Sequence, residues 1–177
     1  MKKKASQKPT YRVGFRRRRE GLTNYRYRYR LIKSGLPRAV VRKSLRSTVV
    51  QIIEFDPKGD RILASANALE LIKFGWQGAC SNTGAAYFAG YLAGGRAKSK
   101  NIGTAVLDIG LQSPAKGSKV FASLKGLVDA GMEIPHDPGI LPQDPRLRGK
   151  NQDFDAFRKK LADMKFTAPK SALKDKK

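Results

Sequence analysis

Two stretches, Arg38-Ala39-Val40-Val41-Arg42-Lys43 and Thr48-Val49-Val50-Gln51-Ile52-Ile53-Glu54-Phe55, decide the fold. Both are rich in β-branched residues, which suit a pleated surface, and a short polar connection separates them, so they read as a hairpin. Asp56-Pro57-Lys58-Gly59-Asp60 follows with turn chemistry, since proline fixes φ and glycine takes φ > 0. It leads into Arg61-Ile62-Leu63-Ala64-Ser65-Ala66, and the three runs together predict an antiparallel meander. Both alternating sets of the second strand hold apolar residues (Val49, Ile53 and Phe55; Val50 and Ile52), so at least part of the second sheet face should be covered.

Downstream the pattern changes. A short helix is expected over Ala68-Leu69-Glu70-Leu71-Ile72, before Gly75-Trp76, and a longer one from about Thr83 to Ser99. Gly84, Gly90, Gly94 and Gly95 in the longer helix should let it approach the sheet closely; they also cost helix stability, so packing must hold it. Arg96, Lys98 and Lys100 suit its C-terminal end. Thr104-Ala105-Val106-Leu107-Asp108-Ile109-Gly110 reads as a short buried strand, and Ser118 as the cap of a helix from Lys119 to about Ala130. The result is an α/β fold: a mixed sheet made of the meander plus a further strand, with helices packed on it.

The prolines of Ile134-Pro135-His136-Asp137-Pro138, with Pro142 and Pro145, predict an extended segment. Phe154, Phe157, Leu161 and Met164 share one helical stripe, which either docks on the body or binds a partner. Lys170 to Lys177 should fray. The division expected is a basic arm over 1–21, a globular body over 22–133, and an extended segment with a C-terminal helix and basic tail over 134–177.

Upstream, Thr23-Asn24-Tyr25-Arg26-Tyr27-Arg28-Tyr29-Arg30 alternates as a strand would. Its flanks favour a helix: Thr23 is a good N-cap, Leu31-Ile32 extends the apolar pattern, and Gly35 before Pro37 is a stop. At helical spacing Tyr25, Tyr29 and Ile32 line one side, beside a basic stripe of Arg26, Arg30 and Lys33.

A chain of 177 residues fits one compact domain with appended arms. Lys and Arg number 37 against 14 acids, a net charge of +23, which calls for a polyanionic partner. The charge is concentrated: the first 50 residues hold 17 bases and the single acid Glu20. No apolar run approaches the roughly 20 residues of a spanning helix, so no membrane partner is expected. Met1-Lys2-Lys3-Lys4 is followed by polar Ser6-Gln7-Lys8-Pro9 where a signal peptide needs an apolar stretch; a transit peptide is the other targeting reading. Cys80 is the only cysteine, which leaves no disulfide framework or cysteine-based zinc site within the chain and suits a reducing cytosol.

Catalytic chemistry is sparse. A ribonuclease-H-like nuclease needs several acids converging on metal, and Asp108 is the tempting candidate. Its companions are missing, because Glu54, Asp56 and Asp60 lie at or near a turn and Asp129 and Glu133 belong to a distant helix end. His136, the only imidazole, sits between Pro135 and Asp137 without a nucleophile nearby in sequence and reads as a loop hydrogen bond. No Walker A pattern occurs and no cofactor is expected. The run from Gly110 to Lys119 joins a strand to a helix start, where Lys116, Ser118 and Lys119 suit a phosphate oxygen. Solvated lysines on a capped loop are the equal alternative.

Arginine runs interleaved with tyrosines fit nucleic acid better than a membrane, since guanidiniums grip phosphates and tyrosines stack on unpaired bases. The candidate contacts are Lys8, Tyr11 and Arg12, the run Arg16, Arg17, Arg18 and Arg19, and Tyr25, Arg26, Arg28, Arg30 and Lys33 on the helix. Two bland readings stand beside this: a solubilising or targeting tail for the arm, and Tyr25 and Tyr29 packing helix against sheet.

These residues resemble those of the large-subunit ribosomal proteins that bind 5S rRNA, the L-eighteen family in its archaeal form, related to eukaryotic ribosomal protein L-five. The resemblance runs from about Tyr11 to Gly149. It is carried by Phe15-Arg16-Arg17-Arg18-Arg19-Glu20, Leu31 to Arg38, Val41-Arg42-Lys43-Ser44, Leu63-Ala64-Ser65-Ala66, Gly75-Trp76, Ala105 to Gly110, Ser113-Pro114, Gly117 to Ala122, Asp129-Ala130-Gly131 and Ile134-Pro135-His136. It implies no catalysis, contacts to 5S rRNA from the arm and first helix, and contributions from Arg42, Lys43 and Ser44, with Arg46 beside them. It further implies partners in large-subunit rRNA and in neighbouring ribosomal proteins of the 5S complex. The competing readings are the metal-dependent nuclease and a DNA-architectural protein.

Overall fold

A computed structural model describes residues 12–148 and 154–162 of the chain. Strands β1 (Arg38–Lys43), β2 (Thr48–Glu54) and β3 (Arg61–Asn67) form the expected meander, and β4 (Val106–Asp108) joins its β1 edge in parallel, giving the order β3-β2-β1-β4. Arg38 pairs with Ile53 and Lys43 with Thr48, so the hairpin register places Ala39, Val41, Val50 and Ile52 in the core. The turn before β3 uses Asp56 twice: its carboxylate accepts from the Lys58 amide at 2.9 Å and its carbonyl from the Gly59 amide at 2.9 Å, with Gly59 at φ 152°. A bulge at Ile52/Ile53 shifts the β2–β3 register.

The second sheet face is partly covered, as the two-sided apolar pattern of β2 requires: Val40 and Ile53 are 5% and 7% exposed. The cover over β4 is helix α2 (Tyr25–Lys33), which follows a single helical turn, α1 (Arg16–Arg19). Asn24, and not Thr23, caps α2: its carboxamide oxygen accepts from the Tyr27 amide at 3.1 Å. Gly35 stops the helix at φ 70°.

Helix α3 (Thr83–Lys98) lies against the opposite face, with α4 (Lys119–Asp129) beside it. A helix buried nearly all round needs no amphipathic pattern, and α3 shows none. Its glycines serve a different neighbour from the one expected. A Cβ on Gly90 would collide with the Ser123 carbonyl, one on Gly94 with Ala130, and one on Gly126 of α4 with the Tyr87 carbonyl. These glycines thus bring helix to helix and not helix to sheet, because they line the side of α3 that faces α4. A 3₁₀ helix, Ala68–Phe74, precedes α3 and starts in a capping box between Asn67 and Glu70.

After α4, residue Glu133 bridges to Thr104, and two short helical pieces follow, Pro138–Ile140 and α5 (Asp144–Arg148). Here Pro138 and Pro145 sit in first turns, where proline's missing N–H is tolerated, so the segment is more helical than its prolines indicated. The stripe of α6 (Phe154–Ala162) docks on the body: Phe154, Phe157 and Leu161 are buried, with Phe154 4.6 Å and Phe157 4.9 Å from the Phe88 ring. Met164 and the Lys170–Lys177 tail lie outside the described residues. Tyr87, under α6, donates to Asp129 at 2.8 Å, and burial first, then that carboxylate, pushes its phenol well above the ordinary tyrosine range.

The helix–helix contact gives a direct test. Gly90→Ala should destabilise the protein by about 1–3 kcal/mol or more through overpacking. Gly103→Ala, with nothing within 4 Å of the added carbon, should cost far less in the same urea titration.

Candidate nucleic-acid interface

Arg38 opens β1 on its second face and is almost wholly buried, its side chain 4% exposed. Its guanidinium donates from Nη1 to Asp108 Oδ2 at 2.8 Å and from Nη2 to Asp60 Oδ2 at 2.7 Å. Asp60, at the start of the third strand's approach, also accepts from Arg28 Nη2 of α2, at 2.8 and 2.9 Å. The second Asp108 oxygen accepts from the Gly110 amide at 2.9 Å. Two guanidiniums and two carboxylates thus form a neutral cluster that ties α2, β1, β4 and the β2–β3 turn to one point. Tyr27 adds a long hydrogen bond, 3.5 Å, from its hydroxyl to the Leu107 carbonyl. Burial first, and the Asp108 charge second, raise its pKa, partly offset by a backbone hydrogen bond at Ile109, so it stays a neutral donor.

This anchoring fixes which face of α2 looks outward. Tyr27, Arg28 and Leu31 are half-buried, whereas Tyr25, Arg26, Tyr29, Arg30 and Lys33 are exposed. Tyr25 and Tyr29 therefore do not pack helix against sheet; Tyr29 is 67% exposed. Arg28, grouped with the outward arginines on sequence grounds, is engaged by Asp60. The pairing was missed because its two halves lie 32 residues apart. The Arg38–Asp108 pair does leave traces in the sequence, a basic residue opening an apolar strand and an acid ending another.

Arg12 and all four arginines of α1 are exposed. Arg16 meets Glu20 at 3.4 Å across an open surface, a contact of little energetic weight. Arg17 Nε donates to Thr23 Oγ1 at 2.9 Å and its carbonyl accepts from the Leu22 amide at 2.9 Å, which ties the basic turn to the start of α2. Lys8 and Tyr11 lie outside the described residues.

At the tip of the β1–β2 hairpin, Ser44 Oγ accepts from the Ser47 amide at 3.0 Å and donates to the Ser47 carbonyl at 2.9 Å. That closes a two-residue loop, so Ser44 contributes shape, while Arg42, Lys43 and Arg46 remain exposed. Arg17, Arg28 and Arg42 line one cavity together with residues 108–112, which brings arm, α2 and sheet to a common surface. Lys116, Ser118 and Lys119 are not among its lining residues. At their loop the Gly117 amide donates to the Ile140 carbonyl at 3.0 Å, and Ser118, though at the cap position of α4, makes no side-chain cap bond.

The groups considered for catalysis are otherwise employed. Asp60 and Asp108 do converge, but on a guanidinium. Among the described residues no three of His, Cys, Asp or Glu are grouped to hold a metal ion. His136 Nδ1 sits 2.6 Å from the Ile134 carbonyl, a loop hydrogen bond, and Cys80 is buried in the core, where burial raises its pKa.

A family model described as ribosomal large subunit proteins 60S L5, and 50S L18 matches residues 9–102 and 97–137. The large ribosomal subunit protein uL18 of Aeropyrum pernix is 58% identical over 141 residues, 79% of this chain and 66% of that protein. Its namesake from Methanothermobacter thermautotrophicus is 50% identical over 143 residues, 81% of this chain and 74% of the relative.

Asp108→Ala leaves a buried guanidinium short of a partner and should cost about 3–5 kcal/mol in a denaturant titration. Glu54→Ala, at an exposed strand end, should stay within about 0.5 kcal/mol. Equal losses in the two variants would contradict the anchoring role.

Proposed function

Since the chain belongs to the family of ribosomal large subunit proteins 60S L5 and 50S L18, it is a structural and not a catalytic constituent of that subunit in the cytoplasm; we propose that its part there is to bind 5S rRNA and help attach it to large-subunit rRNA in the central protuberance. The observation that carries this reading is the sorting of its arginines. Arg28 and Arg38 are neutralised by Asp60 and Asp108, while Arg16 to Arg19, Arg26, Arg30, Arg42 and Arg46 stand exposed on the arm, the outer face of α2 and the hairpin tip.

Exposed guanidiniums bind phosphates bidentately and release counterions as they do so. Tyr25 and Tyr29, one turn apart beside Arg26 and Arg30, offer ring faces to unpaired bases, the usual targets of sequence-selective RNA recognition. Neighbouring proteins of the 5S complex are the remaining partners. The α/β body holds these groups in a fixed relation and supplies no chemistry.

Neutralising about six phosphates gives a slope of log affinity against log salt near −4 to −5. Filter binding to folded 5S rRNA across a salt series measures it, and a slope indistinguishable from zero would contradict the mechanism. Replacing Arg16 to Arg19 together with Ala should weaken binding and flatten the slope while thermal unfolding hardly changes, because none of the four is buried.

A further inference from the structure

Resting on the RNA-binding reading, we propose that the cavity between the arm, α2 and the turn after β4 is a pocket for a single pyrimidine base extruded from the RNA. Its size, its polar atoms and its rim point the same way.

The cavity measures about 170 Å³. A dry cavity of roughly 150 Å³ takes one benzene ring, so the space suits a one-ring heterocycle and is tight for a purine. Buried Arg38, Val40 and Asp108 form the floor, and half-buried Tyr27 and Gln112 stand in the walls.

Two atoms of these lining side chains lack partners: Arg38 Nε, a donor, and Gln112 Oε1, an acceptor. The Gln112 amide nitrogen donates to the Val41 carbonyl at 2.7 Å, which settles which end of the amide is the acceptor. Both atoms are shut off from bulk water, the condition in which a missing partner is most costly. A pyrimidine carries both an acceptor and an N–H donor, the two kinds of group these atoms lack.

The exposed residues of the lining complete the case. Leu22 and Leu111, 50% and 60% exposed, give an apolar lip over which a base leaving its stack can slide. Arg17 and Arg42 are exposed cations placed to hold the phosphates on either side of the extruded nucleotide.

The test combines a filled pocket with a map of contact. Leu111→Trp narrows the cavity from its exposed rim and alters no charge, whereas Leu69→Trp places the same bulk on the distant 3₁₀ helix. Leu111→Trp is expected to weaken binding of folded 5S rRNA about tenfold, the scale of one lost base contact, with an unchanged salt slope and an unchanged melting temperature. Leu69→Trp is expected to bind as the unaltered protein does. Ultraviolet cross-linking with mass spectrometry should join a uridine or cytidine to residues 22–28 or 109–112, and the Leu111→Trp variant should lose that link. Unchanged affinity in Leu111→Trp, or links confined to purines or to other segments, would overturn the proposal and leave the cavity to water. Failure of the unaltered protein to bind 5S rRNA at any salt would overturn the RNA reading itself, and this pocket with it.

Discussion

One buried guanidinium organises the face of this molecule that carries α2. Arg38 lies under α2 with 4% of its side chain exposed, a position that requires compensation on every side. Asp108 supplies it from the adjacent parallel strand, and Asp60 from the turn between β2 and β3. Because Asp60 also grips Arg28, the compensation extends into α2, and a helix with no fully buried residue acquires a fixed orientation. Leu31 and Ile32 are only half-buried, so the ion cluster and the Tyr27 contact add to a thin apolar hold.

The cost of positive charge is thereby managed in two ways within one short stretch of chain. Arginines that face the body are matched with carboxylates and contribute structure. Arginines that face solvent have almost no acid near them, Glu20 excepted, and repel one another. Salt screens that repulsion in part, and a polyanion relieves it more fully. On the far side of the sheet the α3–α4 pair, locked by glycines at backbone contact, gives the rigid body against which α6 docks its phenylalanines.

Much of this was legible in local sequence. The bounds of β1 follow from Pro37 and the β-branched run, and α2 was recoverable from Gly35 and Pro37 even though its tyrosine–arginine alternation mimics a strand. What escaped were facts about partners. Nothing in the spacing of Gly90 and Gly94 says whether a sheet or a helix comes close, and nothing in Thr23-Asn24 says which of two good caps is used. Pro145 reads as a breaker until its place in a first turn is known. On the candidate surface the arginines and tyrosines were legible as a class, because charge density survives without coordinates. The withdrawal of Arg28 into a pair with Asp60 was not, since it depends on a turn 32 residues away folding back over the sheet.

We propose that the exposed cations of α1, α2 and the hairpin tip are arranged for one structured RNA and not for polyanions in general. The most direct measurement is to purify the protein from cells of its source under stringent salt and sequence whatever nucleic acid remains bound. The expected result is 5S rRNA enriched far above its share of cellular RNA. Retention of duplex DNA, or of RNA in proportion to its abundance, would contradict it.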